Sequence, residues 1–251
     1  MKLDLELEGK SVLVTGASGG IGLGVVEAFL TAGAHVSATD KDISILRSNL
    51  VVEPGHELFS VEKDISDVKS CRKLVAEVID HFGRLDILVN CAALIKRVDL
   101  EEVDEELWDQ HMDINLKAVF FLSKYASEDM RKRNWGRIIN LSSQAGHTGG
   151  ARDCVAYAAT KGGINTLTKS FAKHLSSYGI TVNSVSPGLV NTRMITGTLT
   201  EESIRQLIEQ VPIKRLSEVE EIALPVIFLA SQWASSITGL TLDTNGGMLM
   251  R

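Results

Sequence analysis

One tyrosine and one lysine, Tyr157 and Lys161, stand four residues apart in the stretch VAYAATKGG, which otherwise contains only small residues. Residues i and i+4 share one face of a helix, so the phenol and the ammonium should be neighbours. A positive charge beside a phenol favours the phenolate and lowers the pKa of the tyrosine. The pair therefore predicts a tyrosine general acid or base, although the same spacing also occurs in ordinary surface pairs.

A glycine-rich segment, TGASGGIGLG, spans residues 15–24 and spaces its glycines as Gly16, Gly20 and Gly22. Glycines permit a tight turn and let backbone N–H groups approach a pyrophosphate at a helix N-terminus. A strand is predicted before this segment and a helix after it, as the dinucleotide fingerprint requires. The segment therefore predicts a dinucleotide site, with a plain tight turn as the alternative.

Two aspartates follow the next two predicted strands. Asp40 can accept hydrogen bonds from both ribose hydroxyls of an adenosine and would repel a 2′-phosphate, so it favours NAD(H) as the cofactor. Lys41 follows directly and could soften that repulsion, which leaves NADP(H) possible. Asp64 could accept a hydrogen bond from an adenine amino group, or it could cap the helix that begins near Asp67.

These residues need a scaffold, and short β-branched runs alternate with helical patterns along the whole chain. Strands are predicted over residues 11–15, 34–39, 57–61, 84–90, 137–143, 180–188 and 239–247. Helices are predicted over residues 21–31, 67–82, 105–132, 155–177, 201–210 and 219–231. This alternation predicts an α/β protein with a doubly wound, mostly parallel, seven-stranded sheet and helices on both faces. Ligands of such sheets bind beyond the carboxyl ends of the strands, where the residues named above fall.

Composition excludes several classes of partner. The net charge of −6 over 251 residues offers no basic surface for nucleic acid. The N-terminal MKLDLELEGK lacks the apolar core of a secretory signal, and the apolar run 222–230 is too short to span a membrane. The three cysteines, Cys71, Cys91 and Cys154, are odd in number and show no metal-ligand spacing. They predict a cytoplasmic protein without a metal site.

Taken together, the motifs resemble the classical short-chain dehydrogenase/reductase family. The similarity runs through TGASGGIG, DILVN, INL, IINLSS, YAATK, SPGLVNT and TNGG, and so covers nearly the whole chain. It implies a Rossmann fold made of one dinucleotide-binding and catalytic domain over residues 1–251. It also implies a cytoplasmic homotetramer that oxidises CH–OH groups, or reduces carbonyls, of a small molecule with NAD or NADP.

The resemblance implies a role for each residue that matches the family pattern. Tyr157 is the acid or base, and Ser143 orients and polarises the substrate oxygen. Lys161 binds the nicotinamide ribose and lowers the tyrosine pKa, while Asn115 holds a water that links Lys161 to solvent. The implied cofactor-binding residues are Gly16, Ser18, Gly20, Ile21, Gly22, Asp40, Asp64, Ile65, Asn90, Ala92, Tyr157, Lys161, Pro187, Val190 and Thr192.

Two departures from the family pattern border the expected site. Asn90-Cys91-Ala92-Ala93 stands where the family usually has Asn-Asn-Ala-Gly, so Ala93 adds a methyl group near the cofactor. The segment between Ser143 and Tyr157 is also slightly longer than usual, which predicts an altered substrate pocket.

Three functions stay open. Asp40 favours an NAD-linked dehydrogenase of a secondary alcohol, such as a polyol, a sugar or a hydroxy acid. The C-terminal third resembles 3-oxoacyl-(acyl-carrier-protein) reductases, which generally prefer NADPH and need a basic face for their carrier. Candidates for that face are Arg131, Lys132, Arg133 and Arg137. A non-catalytic dinucleotide-binding regulator is the third, and the intact set Asn115, Ser143, Tyr157 and Lys161 argues against it.

The resemblance also places a substrate lid and a subunit interface. The lid covers residues 189–215, with Leu189, Met194 and Ile195 as its apolar candidates for substrate contact. Other candidates around the pocket are Leu94, Ile95, Gln144, His147 and Cys154. The helices that carry Asn115 and Tyr157 are expected to pack against a neighbouring subunit.

Overall fold

Seven parallel strands form one sheet in the computed structural model, which describes residues 5–193, 197 and 200–251. The strands are β1 (Ser11–Thr15), β2 (His35–Asp40), β3 (Glu57–Glu62), β4 (Ile87–Asn90), β5 (Gly136–Leu141), β6 (Ile180–Pro187) and β7 (Thr241–Thr244). Their order is β3-β2-β1-β4-β5-β6-β7, and each neighbouring pair is parallel. The order reverses between β1 and β4, which confirms the predicted doubly wound, single-domain Rossmann architecture.

The helices connect successive strands on both faces of the sheet. They are α1 (Gly20–Thr31), α2 (Ser44–Asn49), α3 (Val68–Phe82), α4 (Glu105–Met112), α5 (Ala118–Arg133), α6 (Ala145–Thr148), α7 (Val155–Leu175), α8 (Glu201–Gln210) and α9 (Glu220–Ala230). The sequence patterns missed α2 and α6, because six and four residues are too short to show helical periodicity. The predicted helix over 105–132 is interrupted by a π-helical turn at Asp113–Lys117.

Side chains that alternate between the two faces of the sheet build two separate hydrophobic cores. Val12 and Val14 of β1 pack with residues of α1 and α9 on one face. Leu13, between them, packs with residues of α3, α5 and α7 on the other face. Successive side chains of a strand point to opposite faces, so strands covered on both sides read as continuous apolar runs. This explains why SVLV and DILV are recognisable as buried parallel strands.

Side-chain caps define where several helices begin. Asp67 accepts a hydrogen bond from the Ser70 backbone N–H at the start of α3 (2.9 Å). Asp104 does the same for Leu107 in α4 (2.8 Å). Asp67 rather than Asp64 is therefore the cap of α3. Within the described residues, no helix is both long and apolar enough to cross a bilayer.

The basic end of α5 exposes only part of the docking face that the sequence suggested. The Arg133 guanidinium pairs with Asp129 and with the buried Asp86. Arg137 is almost fully buried and lies over the Trp135 ring, 4.5 Å from its centroid. The Arg137 guanidinium has no ion-pair partner among the described residues and donates to neutral acceptors, the Gly136 carbonyl (2.8 Å), the Gly179 carbonyl (3.3 Å) and the Gln232 Oε1 (3.3 Å). Of the four candidates, only Arg131 and Lys132 remain exposed.

Candidate functional site

A cavity of about 800 Å³ opens at the carboxyl edge of the sheet. Its walls come from segments at or just after the ends of β1 to β6, as expected for a doubly wound sheet. It extends from the end of β2 to the tyrosine of α7. The predicted residues that line it are Gly16, Ser18, Gly20, Ile21, Gly22, Asp40, Asp64, Ile65, Ala92, Ser143, Tyr157, Lys161, Pro187, Val190 and Thr192. Two predicted residues, Asn90 and Asn115, do not line it.

The glycine-rich loop makes a close turn that side chains would fill. Gly16 has a φ of +68°, and a Cβ there would lie 2.6 Å from the Ala92 Cα. A Cβ on Gly22 would overlap the Gly16 carbonyl oxygen. A Cβ on Gly20 would lie 2.8 Å from the Thr192 methyl group. The loop is therefore shaped so that a ligand can approach its backbone at the start of α1, which fits a dinucleotide's pyrophosphate.

Asp40 is held in place by this loop. Its Oδ2 accepts a hydrogen bond from the Ser18 backbone N–H (3.0 Å), and its Oδ1 accepts from the Lys41 N–H (2.7 Å). The Lys41 ammonium turns away and pairs with Asp64 at 3.1 Å. Asp64 also accepts from the Ser66 N–H (2.9 Å), and these hydrogen bonds hold the pKa of its carboxyl below the usual value. The cavity thus presents a fixed carboxylate at the end of β2.

Ser143, Tyr157 and Lys161 meet at the other end of the cavity. Ser143 follows β5, and its hydroxyl lies near enough to the Tyr157 phenol to act on the pKa of that phenol. The same hydroxyl accepts a hydrogen bond from the Ala145 backbone N–H (3.2 Å). The Lys161 Nζ lies 5.4 Å from the centroid of the Tyr157 ring and donates to the Leu141 carbonyl oxygen (2.6 Å). The expected juxtaposition on one face of α7 is therefore present, with the serine brought in from β5.

The pKa of Tyr157 is not lowered as the sequence suggested. Burial raises it to about 12, although the Ser143 hydroxyl and the Arg97 charge act in the opposite direction. Burial also lowers the pKa of Lys161 to about 8. Removal from water disfavours both charged forms, and this outweighs the proximity of the ammonium. Tyr157 therefore keeps its proton at neutral pH and is ready to donate it.

Asn115 lies in the π-helical turn, where its side chain is committed to other protein groups. Its Oδ1 accepts from the Leu94 N–H (2.7 Å), and its Nδ2 donates to the Leu94 carbonyl (2.8 Å). A longer bond reaches the Thr160 hydroxyl (3.3 Å). The amide thus fixes the loop that follows β4, and Leu94 of that loop lines the cavity.

The Asn90 side chain points away from the cavity. Its Nδ2 donates to the Asn140 Oδ1 (2.8 Å) and to the Ser123 hydroxyl (3.2 Å). Asn90 has the same parity as Leu88 in β4, so it faces α5 and α7. The next residue, Cys91, does line the cavity, and burial raises the pKa of its thiol to about 12.

The structure adds cavity residues that the sequence analysis did not name as cofactor contacts. Among the added residues are Ile45 and Asn49 of α2, Lys63 after β3, Ile114 of the π turn, and Arg193. Arg193 directly follows the predicted Thr192, so its place in the sequence could have predicted that it lines the cavity. No sequence feature predicted Ile45 and Asn49, because helix α2 was itself not predicted.

Several substrate candidates point elsewhere or lie outside the described residues. The His147 ring bonds Asn165 (3.0 Å), and the Cys154 thiol donates to the Ala151 carbonyl (3.2 Å). Leu94 is the one loop candidate of its group that lines the cavity. Met194 and Ile195 of the expected lid lie outside the residues that the structure describes.

Comparison with known proteins shows the family to which the chain belongs. A family model described as enoyl-(acyl carrier protein) reductase matches residues 16–249. The chain is 40% identical over 245 residues to the 3-oxoacyl-[acyl-carrier-protein] reductase FabG of Staphylococcus aureus, covering 96% of this chain and 98% of the relative. The FabG of Vibrio cholerae is 40% identical over 248 residues, covering 98% of this chain and all of the relative. The chain belongs to the short-chain dehydrogenase/reductase family.

A solved structure agrees with this family assignment. A candidate short-chain alcohol dehydrogenase of Sinorhizobium meliloti 1021 superposes with a TM-score of 0.93 at 32% identity, covering 98% of each chain. As a short-chain dehydrogenase/reductase, the protein is an oxidoreductase of alcohol and keto groups. The glycine-rich turn, the fixed carboxylate and the elongated cavity fit a nicotinamide dinucleotide.

Proposed function

We propose that the protein transfers a hydride between NAD(H) and a secondary alcohol or its ketone, with a polyol, a sugar or a hydroxy acid as the substrate. The observation that carries the proposal is the meeting of Ser143, Tyr157 and Lys161 at one end of a cavity whose other end holds Asp40. A bound nicotinamide supplies the carbon that donates or accepts the hydride.

The residues of the chain handle the proton and position the reactants. Tyr157 donates its phenolic proton to the carbonyl oxygen in reduction and accepts the hydroxyl proton in oxidation. Ser143, which lines the same end of the cavity, donates to the same substrate oxygen. Lys161 would hold the nicotinamide ribose, with the Leu141 carbonyl keeping its ammonium in the cavity wall. A proton relay at Asn115 would use the backbone of the π turn, because the side chain is occupied by Leu94.

The preference for NAD(H) rests on Asp40. Its carboxylate is anchored by two backbone N–H groups and cannot swing away without losing both bonds. The neighbouring Lys41 is paired with Asp64, so it does not neutralise Asp40. A 2′-phosphate at this position would meet an uncompensated negative charge.

A 3-oxoacyl thioester is the second candidate substrate, and the 40% identity to two FabG reductases favours it. The ion pairs of Arg133 and the burial of Arg137 weaken the expected carrier-docking face. A free or coenzyme-bound thioester would not need that face.

The assay that tests the proposal compares cofactors and substrates in one experiment. NADH and NADPH are each offered with acetoacetyl-coenzyme A, and NAD⁺ and NADP⁺ are each offered with polyols, sugars and hydroxy acids. We expect NAD(H) to be preferred and Asp40→Ser to shift the NADPH/NADH ratio of kcat/KM upward by about 10- to 100-fold. Asp42→Ser removes the same charge from the same turn and should leave the ratio unchanged. A wild-type preference for NADPH would contradict the assignment of Asp40.

Two exposed apolar surfaces support a homotetramer as the working assembly. One combines the exposed Phe120 of α5 with the half-buried Phe171 of α7, whose rings lie 5.4 Å apart. The other contains Leu224 and Phe228 of α9 together with Trp233 and Leu240. Two independent self-complementary faces are what a tetramer with crossed two-fold axes requires. The cytoplasmic location stays a prediction from the cysteine content.

A further inference from the structure

A short chain of hydrogen bonds joins α6 to α7 beside Ser143. The His147 Nε2 of α6 lies 3.0 Å from the Asn165 Nδ2 of α7. The Asn165 Oδ1 accepts a hydrogen bond from the Ser142 hydroxyl (2.6 Å), and that hydroxyl also lies 3.3 Å from the Lys161 carbonyl oxygen. Ser142 directly precedes Ser143, and both line the cavity. The chain of bonds therefore ends at the residue next to the serine that is expected to bind the substrate oxygen.

The backbones of the two helices are also in close contact at this point. A Cβ on Gly146 would lie 2.5 Å from the Lys161 carbonyl carbon, so a glycine is needed for α6 to approach α7 this closely. Ser142 and Asn165 are 4% and 6% exposed, so little water is available to replace a lost hydrogen-bond partner. A backbone contact and a buried polar network thus hold the two helices together.

The direction of these bonds fixes the protonation state of His147. The Asn165 Nδ2 can only donate, so the His147 Nε2 must accept, and the ring is neutral with its proton on Nδ1. The amide cannot reverse without turning its Nδ2 toward the Ser142 hydroxyl and losing the 2.6 Å bond. A proton on Nε2 would therefore set two donors against each other and break the link between the helices.

The surroundings of the ring favour its neutral form. Among the described residues, the charged groups that act on His147 are Arg251 near the C-terminus, Asp243 of β7 and Lys169 of α7. Burial and the two cations lower the pKa of His147, while Asp243 acts in the opposite direction and is itself paired with Arg251 (2.9 Å). His147 is therefore neutral at neutral pH and becomes charged only in acidic solution.

We propose that neutral His147 is a positioning residue for the reaction at Tyr157. Through the bonds of Asn165 and Ser142, it holds Ser143 where the serine hydroxyl can donate to the substrate oxygen. This inference rests on the proposed function and adds a residue that does not itself line the cavity. Protonation of His147 breaks the link to α7, and the rate of carbonyl reduction then falls.

The test compares two substitutions of His147 across the pH range in which its ring titrates. The kcat for NADH-linked reduction of acetoacetyl-coenzyme A, or of the ketone of any alcohol that the full-length enzyme oxidises, is measured between about pH 5 and 8. We expect the wild-type kcat to fall about fivefold or more below about pH 6, as for the loss of one hydrogen bond. Because Tyr157 stays protonated over this range, no gain of a proton donor masks the loss.

The two variants separate the bond from the titration. His147→Leu removes the acceptor and should show the low kcat at every pH. His147→Gln offers an amide oxygen that accepts the same bond and does not titrate, so it should keep the full kcat down to about pH 5. The KM for NADH should change less than about twofold in both variants, because the lost contact acts on the substrate oxygen.

His174→Gln is the matched control, because it makes the same change at an exposed histidine of α7 and should keep the wild-type pH profile. A wild-type kcat that is flat over this range would overturn the proposal. So would an acidic loss of kcat that persists in His147→Gln.

A measurement without turnover separates the network from the proposed function. In NMR spectra of the isotope-labelled full-length enzyme, the backbone amide shifts of Ser143 and Asn165 should titrate with the midpoint of the His147 ring. In His147→Gln the same shifts should not titrate. If wild type reduces no carbonyl compound while these shifts titrate together, the proposed function fails and the link from His147 to Ser143 is supported. A Ser143 shift that does not follow the His147 ring overturns the link at any level of activity.

Discussion

Tyr157 and Lys161 occupy one face of α7, and burial moves their pKa values in opposite directions. The phenol has a pKa of about 12 and keeps its proton well above neutral pH, and the ammonium has a pKa of about 8 and is half deprotonated at that pH. At neutral pH the site therefore contains a neutral phenol and a buried cation. This is the arrangement required to donate a proton to a substrate carbonyl.

Replacing Tyr157 by Phe removes the proton donor while keeping the ring. We expect turnover to fall about 10²- to 10⁴-fold, the usual contribution of a general acid or base. NADH binding, followed by its fluorescence, should stay within about threefold, because the ring still lines the cavity. Tyr178→Phe makes the same chemical change on the far side of the molecule and should leave turnover intact. A fully active Tyr157→Phe enzyme would refute the assignment.

Replacing Lys161 by Met should stabilise the protein. At pH 7 Lys161 is charged in both the folded and the unfolded chain, and the folded state bears the cost of burying that charge. The lowered pKa corresponds to about 3 kcal/mol, and the lost bond to Leu141 reduces the expected gain in unfolding free energy to about 2 kcal/mol. Urea titrations should measure this gain.

The stabilisation expected from Lys161→Met should depend on pH. Between about pH 8 and 10.5 the unfolded wild-type chain binds a proton that the folded chain has lost, so wild-type stability rises with pH. The advantage of Lys161→Met should therefore shrink from pH 8 to 10. An advantage that is constant from pH 7 to 10 would show that Lys161 is not a buried cation.

At the scale of elements, the turn between β1 and α1 is the most constrained part of the site. Gly22 sits in the first turn of α1, where an added methyl group would collide with the Gly16 carbonyl oxygen. The atoms nearest to that methyl group all belong to the backbone of Gly16 and Ala17, so no side chain can move to make room. The close approach, rather than an unusual φ at Gly22, is what requires glycine at this position.

Gly22→Ala should therefore disrupt the cofactor site. We expect NADH affinity to fall at least about tenfold, because the loop must shift by a large part of a van der Waals radius. Gly24→Ala, two residues further along α1, must displace only the Val219 side chain and should keep the affinity within about threefold. Equal affinities for the two variants, measured by NADH fluorescence, would show that the turn is more plastic than the structure implies.

Elements differ in how much of their placement the sequence reveals. The strands and the long helices α3 and α7 were predictable, because their periodicity and caps are local properties. Helix α2 was not, because six residues are too short to show helical periodicity. The π turn was not, because its contacts come from distant parts of the chain. The Asn115 amide is satisfied by the Leu94 backbone, 21 residues away, and no local pattern reports such a pairing.

At the scale of the whole molecule, helices α5 and α9 carry large apolar side chains on their outer sides, among them Phe120, Leu224 and Phe228. Leu224 is 62% exposed, and Phe228 follows it by one helical turn. A helix that is apolar on its outer side is usually covered by another element. The opposite faces of these helices already pack on the sheet.

Light scattering should therefore give a mass near that of four 27.3 kDa chains, about 109 kDa. Leu224→Glu places a charge in the centre of the α9 face and should reduce the mass to that of a dimer. Val51→Glu alters a residue that is 80% exposed outside both surfaces and should leave the tetramer intact. A wild-type monomer at micromolar concentration would contradict the proposed assembly.

The sequence by itself determined the fold class, the glycine turn, the residue after each strand and the Tyr157–Lys161 pair, because these depend on local periodicity and spacing. Only the tertiary structure decided which way the polar side chains face. It turned Asn90 into the α5–α7 layer, committed the Asn115 amide to Leu94, paired Arg133 with Asp86 and buried Arg137. It also set the pKa values and brought His147 to Asn165, 18 residues apart in the chain. Burial and long-range pairing arise when distant segments pack together, and no short stretch of sequence encodes them.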